Sequence, residues 1–87
     1  MKEVTLFYMR GCSHCKLARA YMKQLCAENP DYAQIPVRLV EERLKKKEAD
    51  QYDYFYVPAF YLGQQKLSEG SVDKEGVRAV FEAALKA

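Results

Sequence analysis

The sequence lacks the features of a membrane protein or a nucleic-acid-binding protein. No stretch approaches the roughly 20 consecutive apolar residues that a membrane-spanning helix needs. The 14 basic and 12 acidic residues nearly balance, and a net charge of +2 does not indicate binding to nucleic acid or to an anionic membrane. The first apolar run is short and follows Glu3, so we expect no secretory signal. These absences predict a cytoplasmic protein that binds neither nucleic acid nor membrane.

The chain also has too few cysteines for a fold held together by disulfides, and it has no repeat, linker or low-complexity segment. Three cysteines in a chain of 87 residues without an export signal are typical of a reduced intracellular protein. Hydrophobic residues make up 49% of the chain and aromatic residues 13%, which is enough to form a core. We therefore expect a single domain over residues 1–87, and a monomer.

What the chain does have is a pair of cysteines, Cys12 and Cys15, between a predicted strand and a predicted helix. Residues 4–9 favour a strand, and residues 13–28 carry apolar side chains at helical spacing. Residues three apart on a first helical turn have Cα atoms roughly 5–6 Å apart, which suits a disulfide. Unpaired N–H groups and the helix dipole favour a thiolate there. The pair predicts a redox dithiol, with Cys12 as the exposed nucleophile and Cys15 as the resolving cysteine.

The rest of the chain predicts an α/β protein. The expected elements after the first helix are a loop (30–36), a strand (37–40), a charged helix (41–51), two hairpin strands (59–62 and 66–68) and a last helix capped by Asp73 or Ser71. A strand–helix–strand unit this short implies a right-handed crossover, so the first two strands should pair in parallel, with the first strand central. The order is β-α-β-α-β-β-α, with a four-stranded mixed sheet and three helices.

This element order, the CxxC motif after the first strand and the Val57-Pro58 step before the third strand together resemble the thioredoxin superfamily. The short chain resembles its glutaredoxin branch, and the resemblance covers essentially the whole chain. It implies a thioredoxin fold, thiol–disulfide oxidoreductase activity and a cis Pro58 that faces the dithiol. The residues that it places at the substrate site are Tyr56, Val57, Pro58, Glu69, Gly70 and Ser71.

Two departures from the glutaredoxin pattern concern the motif and the glutathione site. Ser13 and His14 stand where glutaredoxins commonly have Pro-Tyr, and we expect both residues, with Arg10, to tune the dithiol. Ser68 and Glu69 stand where glutaredoxins commonly carry paired glycines, so a negative charge lies where glutathione would be held. We therefore expect weak glutathione binding, no bound metal, and no cofactor other than the redox-active disulfide.

The predicted function is that of a thiol–disulfide oxidoreductase whose partners are a protein disulfide and a dithiol or glutathione reductant. Two alternatives remain. Some glutaredoxins with serine in place of the motif proline bridge an iron–sulfur cluster between two subunits, and Ser13 allows this here. A redox-inert interaction module is the other alternative, which the intact dithiol disfavours. Cys26 lies too far along the first helix to reach the dithiol and is expected to be a small buried hydrophobe.

Overall fold

The structure is a computed structural model that describes residues 2–87. Its elements are β1 (Val4–Tyr8), α1 (Ser13–Glu28), α2 (Pro30–Ala33), β2 (Val37–Glu41), α3 (Lys46–Ala49), β3 (Ala59–Leu62), β4 (Gln65–Glu69) and α4 (Lys74–Lys86). No helix among the described residues combines the length and the apolar character that crossing a bilayer requires.

The strands form one mixed sheet in the order β2-β1-β3-β4. β1 pairs in parallel with β2, and Val4 lies opposite Val37. β1 also pairs in antiparallel fashion with β3, where Phe7 lies opposite Ala59. β3 and β4 form the antiparallel hairpin. The predicted mixed four-stranded sheet, its parallel first pair and its central first strand are therefore confirmed.

β1 is apolar on both faces because each face of the sheet packs against its own core. On one face, Val4 and Leu6 pack with residues of α1 and α4. On the other face, Phe7 packs with Ala59 and with other residues between positions 49 and 61. On that second face the Phe7 ring lies 4.6 Å from the ring of Tyr52 and 4.9 Å from that of Tyr54, between centroids. The alternation has the period of two that a strand imposes. Tyr52 and Tyr54, in the segment before β3, thus cover the second core.

Residues 2–87 form four helices, so the prediction of three helices was wrong. Residues 30–36 were expected to be a loop, but Pro30–Ala33 form the one-turn helix α2. The side chain of Asn29 caps it by accepting the N–H of Asp31 at 3.0 Å, and proline at the first helical position needs no N–H partner. Asn-Pro therefore ends one helix and begins the next.

The predicted charged helix over residues 41–51 was also wrong, because only Lys46–Ala49 are helical. Glu41 instead ends β2 and is buried. Its carboxylate accepts the backbone N–H of Arg10 at 2.9 Å and that of Arg43 at 2.6 Å. These N–H donors hold the pKa of Glu41 below its usual range. A long-range contact has overridden the local helical pattern.

The cap of α2 gives a stability prediction. We expect Asn29→Ala to lower the free energy of unfolding by about 1 kcal/mol, because the N–H of Asp31 loses its acceptor. Asn29→Asp should retain most of the stability, since its carboxylate can accept the same hydrogen bond. Gln34→Ala, at the other end of α2, is the control. Chemical denaturation measures all three variants, and an unchanged stability for Asn29→Ala would show that the cap contributes nothing.

Candidate active site

The turn after β1 places the first cysteine at the start of α1. Gly11 in this turn has φ +82°, a conformation that other residues adopt only at a cost. The buried carboxylate of Glu41 holds the turn against β2 through the N–H of Arg10. Cys12 then takes the N-cap position of α1, with extended backbone. Local sequence therefore makes the turn, and a neighbouring strand fixes it in place.

The two cysteines are free thiols in unequal surroundings. The Cys12 Sγ accepts the backbone N–H of Cys15 at 3.3 Å, as an N-cap side chain does. Cys12 is half-buried, whereas only 1% of Cys15 is exposed. An N–H donor and the positive end of a helix both stabilise negative charge on a sulfur atom. The geometry therefore favours Cys12 as the sulfur that a substrate meets.

Burial, and after it the hydrogen bond to the neighbouring Cys12 sulfur, together raise the pKa of the Cys15 thiol to about 12. Cys15 is thus a protonated thiol at neutral pH. A dithiol with one accessible sulfur and one shielded thiol is suited to sequential attack, in which the first sulfur reacts with the substrate and the second completes the exchange.

The three residues that were predicted to tune the dithiol lie in two places. Arg10 and Ser13 line the cleft that contains both cysteines. His14 is exposed and lines a neighbouring shallow depression with Ser71 and Asp73. That depression links the start of α1 to the segment before α4. The tuning role of all three residues stays a prediction.

The segment before β3 reaches the same edge of the sheet as the dithiol. Since Ala59 pairs with Phe7, Pro58 lies level with the last residue of β1. The Val57-Pro58 peptide bond is cis, as the resemblance implies. Pro58 is buried, and its carbonyl oxygen accepts the N–H of Gly70 at 2.9 Å. The register and this hydrogen bond bring three predicted substrate residues to one edge.

Glu69 has a contact that the sequence did not reveal. One carboxylate oxygen accepts the backbone N–H groups of Phe55 at 2.5 Å and Tyr56 at 3.0 Å, and the other accepts Lys66 Nζ at 2.7 Å. The ammonium group of Lys66 and the N–H of Phe55 hold the pKa of Glu69 at about 2. The charge that was expected to repel glutathione is therefore paired within the protein, and it fixes the segment before the cis bond.

The remaining predicted substrate residues differ in exposure. Tyr56 and Ser71 are exposed, and Val57 is partly buried against the second core. Sequence reasoning missed two cations, Lys16 and Arg19, that line the dithiol cleft. Their positions four and seven residues after Cys12 could have revealed them, because these spacings share one helical face.

Comparison with known proteins bears on the fold. No family model matches the chain, and no curated protein matches it. Among solved structures, the chain is similar to the germline-specific thioredoxin Deadhead of Drosophila melanogaster, with a TM-score of 0.69 and 17% identity over 93% of this chain and 78% of that one. A structure described as that of a malarial protein gives a TM-score of 0.71 and 16% identity, over 95% of this chain and 96% of that one.

The chain has a thioredoxin-like fold. Likeness at such low identity concerns the fold alone, so the assignment to the glutaredoxin branch stays a prediction. Among residues 2–87, no three side chains of His, Cys, Asp or Glu come together as a metal centre would require.

The unequal cysteines predict unequal alkylation. Iodoacetamide at pH 7 should modify Cys12 at least about tenfold faster than Cys15, because Cys12 is only half-buried whereas Cys15 is a buried, protonated thiol. Peptide mapping over time measures both rates in one sample, and guanidinium-unfolded protein is the control in which the difference disappears. Faster modification of Cys15 in the folded protein would contradict the assignment.

The paired carboxylate of Glu69 predicts a pH dependence of stability. Its folded pKa of about 2 lies below its ordinary value of 4.5, so the folded state is stabilised above pH 4.5 and this stabilisation is lost as the pH falls toward 2. Glu69→Gln should therefore be less stable than the wild type at pH 6, with a difference that shrinks on acidification. Glu3→Gln, at an exposed position, is the control. A pH-independent difference would contradict the argument.

Proposed function

We propose that this protein is a thiol–disulfide oxidoreductase that transfers two electrons from its Cys12/Cys15 dithiol to the disulfide of a partner protein. The observation that carries the proposal is the pairing of an accessible sulfur with a buried thiol. Cys12 Sγ lies at a helix start and accepts the Cys15 N–H, while the Cys15 side chain is shielded. The thioredoxin-like fold supports the proposal as a general likeness.

The exchange takes two steps. The Cys12 thiolate attacks one sulfur of the partner disulfide, so that a Cys12–partner bond forms, the partner S–S bond breaks, and the leaving sulfur takes up a proton. Cys15 then loses its proton and attacks the Cys12 sulfur, which forms the Cys12–Cys15 disulfide and releases the second partner thiol. The partner gains two electrons and two protons. A dithiol reductant or glutathione returns the protein to its reduced form.

The causes of the raised Cys15 pKa explain the order of the steps. The hydrogen bond and the charge of Cys12 both raise this pKa, in addition to burial. Once Cys12 is joined to the partner, its sulfur can carry no negative charge, so the contributions of Cys12 are lost and the pKa of Cys15 falls, although burial still raises it. Cys15 therefore loses its proton more readily after the mixed disulfide has formed than before.

Exposed aromatic side chains favour a protein as the substrate. Phe55 is 84% exposed and Tyr56 is 70% exposed, directly before the Val57-Pro58 step. Large apolar side chains exposed together are typical of a surface that contacts a partner protein. No hydrogen bond within residues 2–87 involves the backbone N–H or C=O of Val57. These groups can pair with an extended segment of the partner.

The test is the capture of a mixed disulfide. Cys15→Ser should accumulate a covalent complex with a disulfide-containing protein substrate, because the second attack is blocked, and Cys12→Ser should form none. Cys26→Ser is the matched control and should reduce the substrate as the wild type does. Non-reducing gel electrophoresis and mass spectrometry identify the linked cysteine. Turnover by Cys12→Ser, or loss of turnover in Cys26→Ser, would contradict the proposed roles.

A further inference from the structure

The cleft around the dithiol continues along α1. Two hollows, of about 380 Å³ and about 470 Å³, meet at Lys16 and Arg19, which line both of them. The first hollow contains the two cysteines and Arg10, and the second adds Lys23 and the half-exposed Leu39 of the edge strand β2. We call the four cations of these hollows, Arg10, Lys16, Arg19 and Lys23, the basic groove.

The charges of the basic groove are not neutralised within residues 2–87. Every ion pair within residues 2–87 that has a nitrogen–oxygen distance of at most 4.0 Å is formed by a cation outside the groove. These cations are Arg38, Arg43, Lys46, Lys66, Lys74 and Arg78. No acidic side chain lines either hollow. Within residues 2–87, the cation–π contact in the groove is that of Arg19, whose guanidinium carbon lies 4.9 Å from the centroid of the Tyr8 ring.

Glu41 and Glu42 lie at the end of β2, beside the turn that carries Arg10, and both carboxylates accept hydrogen bonds. Glu41 is buried and accepts the N–H groups of Arg10 and Arg43, and Glu42 accepts the hydroxyl of Tyr54 at 2.7 Å. The protein as a whole carries a net charge of only +2. The four cations of the groove are therefore a local concentration of positive charge, which the overall charge does not explain. A cleft lined by one sign of charge attracts ligands of the opposite sign.

We infer that the basic groove binds an acidic segment of the partner protein, next to the cysteine whose disulfide is attacked. The inference rests on the proposed function and names its substrate class. The groove opens at Cys12, so a chain segment lying in it delivers its own cysteine to that sulfur. Charge complementarity of this kind raises the association rate and selects partners more than it raises affinity.

The length of the groove sets where the acidic residues lie. From Cys12 to Lys16 the helix rises about 6 Å, and from Cys12 to Lys23 about 16 Å, at 1.5 Å per residue. An extended chain covers these distances in about two and about five residues. The acidic side chains of the partner should therefore lie two to five residues from the target cysteine, with an apolar residue tolerated near Leu39.

The experiment compares three synthetic peptides that carry the same disulfide. One has glutamates two to five residues before the cysteine, one has them two to five residues after it, and one has glutamines at both places. The wild type should reduce one of the acidic peptides with a kcat/KM about tenfold above that of the glutamine peptide at low salt. This advantage should vanish at 1 M salt, where the Debye length is about 3 Å.

A pair of matched variants assigns the effect to the groove. Lys16→Glu/Lys23→Glu should abolish or reverse the ratio of the two kcat/KM values. Lys45→Glu/Lys47→Glu changes the net charge equally at two lysines that line neither hollow, and should leave the ratio as in the wild type. The ratio, unlike the absolute rate, does not move with a general loss of stability. Thermal unfolding of both variants confirms that they are folded.

The outcomes separate the inference from the function on which it rests. Reduction of no peptide would contradict the proposed function itself. Equal reduction of all three peptides, or equal loss of the preference in both double variants, would overturn the groove while leaving the oxidoreductase in place. A single-stranded oligonucleotide that binds the groove more tightly than the acidic peptide would also overturn the inference, because the occupant would then be a nucleic acid.

Discussion

The burial of β1 on both faces of the sheet is the constraint from which the rest of the architecture follows. Val4 and Leu6 are enclosed by the first core and Phe7 by the second, so this strand has to be central. Its end is therefore flanked on one side by the end of β2 and on the other by the start of β3. The dithiol turn, Glu41 and the cis Pro58 come from distant parts of the chain and meet at this edge.

Two carboxylates fix the loops at this edge, and both do so through backbone N–H groups. Glu41 holds the turn before the dithiol, and Glu69 holds the segment that carries the exposed aromatic residues. A charged acceptor for N–H donors forms stronger hydrogen bonds than a neutral one. The loops around the site are thus positioned by charge, while the two thiols differ in burial, with Cys15 buried and Cys12 half-buried.

The parts of the structure that local sequence determines could be predicted, and the parts that depend on distant partners could not. The strand, the dithiol turn and α1 follow from adjacent residues. The helix α2 was missed although Asn29-Pro30 carries its signal, because a proline can end one helix and also occupy the first position of the next. Glu41 and Glu69 were misjudged because their N–H donors lie up to 31 residues away in the chain. The residues of the basic groove could not be grouped from the sequence, because the groove forms only where the edge strand β2 lies beside α1.

The proposed function requires that Cys12 and Cys15 act as one two-electron redox couple. Equilibration of the wild-type protein in a series of oxidised and reduced dithiothreitol mixtures, followed by acid quenching and peptide mapping, tests it directly. We expect a titration curve with the slope of a two-electron couple, a single Cys12–Cys15 cross-link and a free Cys26 thiol throughout. A disulfide that includes Cys26, or oxidation that yields only linked dimers, would contradict it.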